Sequence, residues 1–221
     1  MTDIAKLKSI FKNQDLLTQA LTHKSWVNEH KKQRESNERL EFLGDAVLEF
    51  IVSKEIYERH PDKEEGFLTA LRANLVNTQN LANIARKLNV GKALFLAKGE
   101  EDSGGRENPS LLADTIEAII GAFFIDQGIK PVYEFIKEHI IAEIPEKLSK
   151  PLKDAKSRLQ EYIQSQKLPT PRYKVIEELG PDHSKKFIVE VSVEGRQLGK
   201  GEGKSKSTAE QKAADNALSR L

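Results

Sequence analysis

The sequence predicts a mainly α chain with a second, α+β domain. An all-helical domain is expected over 1–148, a linker over 149–154 and an α-β-β-β-α domain over 155–221. Three observations carry this. Apolar residues recur at helical spacing through the first 148 positions. After position 170 the pattern turns to alternation, with Phe187, Val189, Val191 and Val193 interleaved with Ile188, Glu190 and Ser192. Between the two lies a polar, basic stretch that carries Pro151.

Helix-length apolar patterns fall at 15–27, 38–59, 67–75, 79–88, 109–126 and 131–143. Asn89 with Gly91, Gly104 with Gly105, and Gly128 with Pro131 punctuate them. No alternating strand is expected there. The second domain opens on a helix from Ala155. Alternation over 172–177 and 187–193, then a tight turn at Glu194 and Gly195 into a short strand at 197–200, gives a three-stranded antiparallel meander. A last helix spans 207–221, with Ala213, Ala214, Ala217, Leu218 and Leu221 on one face and Ser207 with Glu210 as a capping box.

Composition narrows the function. Of 221 residues, 38% are apolar and 31% charged, enough to bury a core and unlike a disordered chain. No run approaches the ~18 apolar residues of a membrane span, and the N-terminus lacks an apolar run of leader type. A cytoplasmic protein without membrane association is expected. The absence of cysteine excludes disulfides, thiolate zinc sites and cysteine nucleophiles. The five histidines show no i,i+4 pairing, so any metal is most simply a hard cation on oxygen ligands. The net charge of +1 hides an asymmetry: residues 152–221 hold 14 basic and 10 acidic residues, against 21 and 24 in the remainder. A basic small domain points mildly to a polyanion.

Two acidic helices stand out. Within 38–59, Glu38, Glu41 and Asp45 are spaced i, i+3, i+7 and share one face, which Glu49 extends. Like charges so placed repel. Such a stripe is ordinarily a solvated face, but this one sits in a largely apolar helix. The helix over 109–126 is apolar nearly all round, as buried helices are. Asp114 and Glu117 lie on one face of it, followed there by Ala118 and Gly121, small enough for another helix to come close. Carboxylates on a buried helix must be protonated, paired or metal-bound. A basic partner such as Arg39 or Arg72 is the structural alternative. Together the helices bring four or five carboxylates, Glu38, Glu41, Asp45, Asp114 and Glu117, around one point. That set suits Mg²⁺ and phosphoryl transfer better than acyl transfer. Glu65, before Gly66, reads in isolation as a solvated loop acid or a helix N-terminal charge.

Three segments of the second domain suit RNA. Ser157, Gln160, Glu161 and Gln164 lie near one helical face and match 2′-hydroxyls and minor-groove edges. The loop with Pro181 and His183 joins two strands, and alone is only a turn. Lys204, Ser205 and Lys206, at a helix start, make a phosphate site. A domain that touches two minor grooves and the phosphates between reads duplex shape, not sequence.

These residues resemble bacterial ribonuclease III. The likeness runs from NERLEFLGDAVL at 37–48 through Glu65 and Gly66, GGRENPSLLADTIEA at 104–118, LQEY at 159–162 and GEGKSK at 201–206. It covers essentially the whole chain. The first motif is highly specific; the last two are shared with many double-stranded-RNA-binding domains. The resemblance implies a metal-dependent endonuclease acting on double-stranded RNA, with Glu41, Asp45, Asp114 and Glu117 as ligands of Mg²⁺ (Mn²⁺ able to substitute) and no small-molecule cofactor. Asp45 and Glu117 would be catalytic, with Glu38 and Glu65 implicated in RNA placement or scission. It also implies a homodimer in which Phe42 plugs into the partner and each site cuts one strand. The products would carry 5′-phosphates, 3′-hydroxyls and short 3′ overhangs, and the substrates would be ribosomal RNA precursors and other structured RNAs, messengers among them. Trp26 stands where the family often has tyrosine, Ala155 where an aromatic is expected, and Ser207 and Thr208 replace a lysine and an acid. None of these touches the acidic set. A catalytically inactive double-stranded-RNA-binding protein on this scaffold is the alternative. Loss of Asp45 or Glu117 would mark it, and both are present.

Overall fold

A computed structural model describes residues 4–31, 33–181 and 185–221. Its contacts divide the chain into two compact units, Met1–Leu152 and Lys153–Leu221.

The first unit is helical: α1 (Ile4–Ile10), α2 (Gln14–Ala20), α3 (Lys24–Glu29), α4 (Glu38–Arg59), α5 (Glu65–Val76), α6 (Thr78–Lys87), α7 (Lys98–Asp102), α8 (Pro109–Gln127), α9 (Ile129–His139) and α10 (Ile144–Leu148), with 3₁₀ turns at Val90–Ala93, Gly105–Glu107 and Ile141–Glu143. The axle is α8, which packs against α2, α4, α6 and α9. Ile116, Ile119 and Ile120 on α8 are wholly buried, as an all-round apolar helix requires. Of the small residues expected to admit a neighbour, Gly121 does so, against Gly44 on the facing helix. A Cβ on Gly44 of α4 would lie 1.7 Å from the Glu117 carbonyl oxygen, and one on Gly121 of α8 would lie 2.1 Å from that of Leu40. The two helices thus cross backbone to backbone. No helix among the described residues is long and apolar enough to cross a membrane.

Several sequence expectations shift. The single helix read over 15–27 is two, α2 and α3. Between them the chain turns extended, and Thr22 bridges Phe95 in parallel. The Phe95 amide donates to the Leu21 carbonyl at 2.9 Å, and the His23 amide donates to the Phe95 carbonyl at 3.1 Å. The Thr22 hydroxyl takes the Thr18 carbonyl at 2.7 Å. A pairing with a segment more than seventy residues on breaks a locally continuous pattern. The pattern at 131–143 ends as α-helix at His139 and finishes as a 3₁₀ turn. The short helices α1, α7 and α10 are not anticipated, and α5 begins at Glu65.

The second unit runs α11 (Ala155–Ser165), β1 (Arg172–Leu179), β2 (Lys186–Val193), β3 (Arg196–Gly203) and α12 (Lys206–Leu218). Its antiparallel sheet has the order β1-β2-β3, with bulges between Val175 and Glu177 and between Val191 and Ser192. Glu194 and Gly195 both take positive φ, 50° and 79°, the geometry of a tight hairpin turn. Val189, Val191 and Val193 face a core shared with Leu159, Ile163, Ala209, Ala213, Ala214 and Ala217.

The third strand is longer than the expected 197–200. Gly199, Gly201 and Gly203 lie under α12, where a Cβ on each would come within 2.5 Å of helix backbone. Glycine on the inner face removes the apolar alternation that marks a strand. The cap of α12 is Ser205, which accepts from the Thr208 amide at 3.1 Å; the capping box expected at Ser207 and Glu210 lies two residues too late. At the other end, Asp154 caps α11 and accepts from Gln211 Nε2 of α12 at 2.8 Å. Those bonds, chiefly from the Gln211 and Ser157 side chains, hold its carboxyl down at about 2.

The helix crossing yields the first prediction. Gly44→Ala forces overpacking against backbone that cannot rotate away, a cost of about 1–3 kcal/mol or more. The first unit should melt roughly 3–10 °C lower by calorimetry or circular dichroism. An unchanged melting temperature would show that the crossing is looser than described.

Candidate metal centre and nucleic-acid interface

The crossing sets the site. Glu41 and Asp45 leave α4 on either side of Gly44, and Asp114 and Glu117 leave α8 on the turns before Gly121. The start of α8 is fixed by Asn108, whose side chain accepts from the Ser110 amide at 2.9 Å, and by Pro109 in the first turn. The expected carboxylates therefore converge in part. One oxygen each from Glu41, Asp114 and Glu117 lies within 4.8 Å of the others, and all three side chains are half-buried.

The electrostatics are those of an uncompensated cluster. Burial, then Asp45, Asp114, Glu41 and Glu49 in turn, push the Glu117 carboxyl up to about 8. Burial, then Asp114 and Glu38, raise Glu41. Burial raises Asp114, partly offset by His23 and Lys24. The basic partner considered from sequence goes elsewhere: Arg72 Nε lies 3.0 Å from Glu49, and its Nη1 donates to Ser53 Oγ at 3.0 Å. Arg39 is exposed.

The donor set fits a hard divalent cation. Oxygens on one octahedral ion of Mg²⁺ size stand up to about 4.2 Å apart. The three carboxylate oxygens, within 4.8 Å of one another, come close to that spacing.

The other expected acids stand apart. Asp45 is exposed and outside the three-oxygen group, although its charge is the largest acting on Glu117. Glu38 is exposed and held low by the Ser36 hydroxyl (3.0 Å) and then by Lys24 (3.3 Å). Glu65 is the first residue of α5, so it is a helix N-terminal charge. It accepts from the Thr69 hydroxyl at 2.7 Å.

A cavity of about 220 Å³ opens beside the cluster, lined by His23, Lys24, Asn37, Glu38, Glu41, Leu111 and Asp114. Sequence reasoning missed His23, Lys24 and Asn37. The signal of His23 and Lys24 was hidden inside the continuous pattern at 15–27, and they reach the site only through the break at Thr22. His23 caps α3 and has its pKa lowered, chiefly by burial. The Asn37 amide donates to the Thr22 carbonyl at 2.9 Å, tying the start of α4 to the same break.

In the second unit, Gln160, Glu161 and Gln164 are exposed along α11. Ser157 is partly buried, and its hydroxyl donates to Asp154 at 2.8 Å. Glu161 pairs with Lys153. Pro181 is exposed, while His183 lies outside the described residues. Lys204 and Ser205 form the turn between β3 and α12, whose first residue is Lys206. Lys206 Nζ stands 5.6 Å from the centre of the Phe187 ring and 3.7 Å from Glu178.

A helical unit with a carboxylate cluster, followed in one chain by an α-β-β-β-α unit, defines a class: a nuclease that carries its own double-stranded-RNA-binding domain. Comparison with known proteins makes this particular. Residues 13–144 match the family model described as Ribonuclease-III-like, and residues 155–221 match the double-stranded RNA binding motif. The chain is 49% identical over 212 residues to Ribonuclease 3 of Anoxybacillus flavithermus, covering 96% of this chain and 89% of that one. It is 48% identical over 217 residues to Ribonuclease 3 of Bacillus cereus, covering 98% and 89%. The solved nuclease domain of ribonuclease III from Campylobacter jejuni aligns with a TM-score of 0.58 at 41% identity, over 65% of this chain and 99% of that one. The chain belongs to the ribonuclease III family. Its activity is endonucleolytic cleavage of double-stranded RNA, in a metal-dependent family, and the inactive alternative is not favoured.

The raised carboxyls fix a pH dependence. Between the ordinary carboxylate range and about 8, the folded protein keeps a proton on Glu117 that the unfolded chain has released. Stability without metal therefore falls as pH rises through that window. His23, lowered by burial, contributes the opposite slope. In EDTA, the Glu117→Gln variant should lose part of the fall in melting temperature that the unsubstituted protein shows between about pH 5 and about pH 8. Excess divalent cation should raise the melting temperature more at the upper end, where no proton has to leave. Identical pH profiles for both proteins would contradict this account.

Proposed function

We propose that Glu41, Asp45, Asp114 and Glu117 hold Mg²⁺, or Mn²⁺ in its place, and that this centre cuts both strands of an RNA duplex within a homodimer. The observation that carries the reading is the convergence of three half-buried carboxylates from crossing helices, with no basic residue from α5 to neutralise them. A divalent cation there supplies Lewis-acid stabilisation and water activation for phosphodiester hydrolysis. The protein's share is geometric. The rigid crossing presets the ligands, and burial keeps competing water away from Glu117. Asp45, at the exposed edge, is the ligand best placed to move as substrate arrives. Glu38, kept ionised by Ser36 and Lys24, faces the cavity and orients RNA or water. Glu65, at the α5 terminus, handles RNA.

Residues 1–148 form the endonuclease domain in this reading, joined through 149–154 to an RNA-binding domain over 155–221. Ser157, Gln160, Glu161 and Gln164 meet one minor groove. The loop with Pro181 and His183 meets the next, and Lys204, Ser205 and Lys206 grip the phosphates between. Duplex-shape readout suits precursors of ribosomal RNA and other structured transcripts in the cytoplasm. Phe42 is 80% exposed on α4, and Phe50 and Tyr57 of the same helix are 62% and 70% exposed. Such a face suits a second copy of the chain, and the Campylobacter jejuni structure is itself described for a region involved in dimer formation. Two sites, one per copy and one per strand, would leave 5′-phosphates, 3′-hydroxyls and short 3′ overhangs.

Glu117→Gln should cut a plain RNA duplex more slowly by about 100-fold or more in Mg²⁺, since loss even of an outer partner of a metal ligand costs about 10–100-fold. Duplex affinity in a gel-shift assay should stay within a few-fold. EDTA should stop the unsubstituted protein. Undiminished cutting in either case would sink the metal mechanism. Separately, Phe42→Ala should lower the sedimentation-equilibrium mass towards one chain at micromolar concentration, and a mass equal to that of the unsubstituted protein would remove Phe42 from the dimer contact.

A further inference from the structure

We propose that Lys24 is an RNA-phosphate-binding residue of the nuclease site, whose ammonium group leaves Glu38 for the backbone of the bound strand. The inference rests on the reading of the carboxylate cavity as the cleavage site. Lys24 is the first residue of α3, where the chain re-enters a helix after pairing with Phe95, and it lines the cavity with Glu38, Glu41 and Asp114. Among the described residues it is the sole lysine or arginine in that lining.

An RNA strand entering a cavity of carboxylates meets like charge. Even with the acids neutralised by a cation, the phosphates flanking the cleaved bond need their own partner. Lys24 is placed to be it. Its Nζ is 3.3 Å from Glu38 with the side chain 62% exposed, and exposed pairs of this kind are weak and readily exchanged. Glu38 keeps a second anchor, because Ser36 Oγ donates to the other carboxylate oxygen at 3.0 Å. The ammonium can therefore depart while Glu38 stays in place.

The test is single-turnover cleavage of a plain RNA duplex by the full chain in Mg²⁺, across a series of KCl concentrations. Lys24→Ala should raise the half-saturating enzyme concentration about 3- to 10-fold, hold the maximal rate within about threefold, and make the logarithmic salt slope shallower by about one. Lys24→Arg, which keeps the charge, should restore the slope. Ser36→Ala, which removes the other donor to Glu38 without changing charge, should keep the original slope. An unchanged slope in Lys24→Ala, with cleavage by the unsubstituted protein intact, overturns this inference alone. So does an equal fall in maximal rate in all three variants, which would make Lys24 only a positioning residue for Glu38. An unsubstituted protein that leaves the duplex whole overturns the cleavage reading and this inference together.

Discussion

The site depends on the closeness of two backbones. Gly44 and Gly121 leave no room for a side chain between α4 and α8, so the turns that bear the acids are pressed together. At an ordinary interaxial distance of about 8–10 Å, carboxylates on facing helices could turn away from one another into water. Here the Glu117 carbonyl occupies the space a Cβ on Gly44 would need. The backbone of Glu117 is thus placed by the crossing itself. Glycine inside a helix weakens it by about 0.5–1 kcal/mol relative to alanine, and both helices carry that penalty at the one place where it permits close approach.

Close approach makes the acids a destabilising group in the absence of metal. Glu117 is raised to about 8 by burial and by four neighbouring acids, and the surroundings do little to relieve it. Arg72, within reach of the stripe, pairs instead with Glu49 one turn further along α4, which closes the stripe at that end. At the other end Ser36 and Lys24 hold Glu38 as a carboxylate. The acids between these two ends share no basic partner among the described residues, apart from the partial offsets of His23 and Lys24. Selective compensation of this kind leaves negative charge concentrated where a cation would bind, and the hydrophobic packing of α8 against four helices supplies the stability that the cluster removes.

Most of this was legible in local sequence, and the exceptions share one physical cause. The bounds of α4 and the inner face of β2 follow from apolar period, and the pairing of Asp114 with Glu117 on a buried face follows from the composition of one helix. The small residues Ala118 and Gly121 announced the crossing before any partner helix was known. What stayed hidden was fixed by distant chain. The break at Thr22 comes from Phe95, and that break alone carries His23 and Lys24 to the cavity. The length of β3 was masked because its inner face is glycine, required by the nearness of α12 and not by any strand propensity. The exposure of Asp45 was hidden for a related reason. Spacing puts it on the stripe with Glu41, but spacing cannot say that the crossing lies between them and leaves Asp45 on the exposed side.

That last point bears on how the two halves of the stripe differ in task. Glu41, Asp114 and Glu117 are constrained by burial and by the crossing, so their geometry can be preset before RNA arrives. Asp45 and Glu38 are exposed, one beside the cluster and one on the cavity wall, where Ser36 and Lys24 hold Glu38. A preset inner group with an exposed outer pair suits a centre that must fix a cation yet admit a bulky, charged polymer. In the proposed function the inner group would supply position, and Asp45 would adjust as phosphate displaces solvent. Exposure, and not only the number of carboxylates, therefore separates the half-buried ligands proposed to preset the metal from Asp45, the proposed mobile fourth ligand, and from Glu38, proposed to meet the substrate.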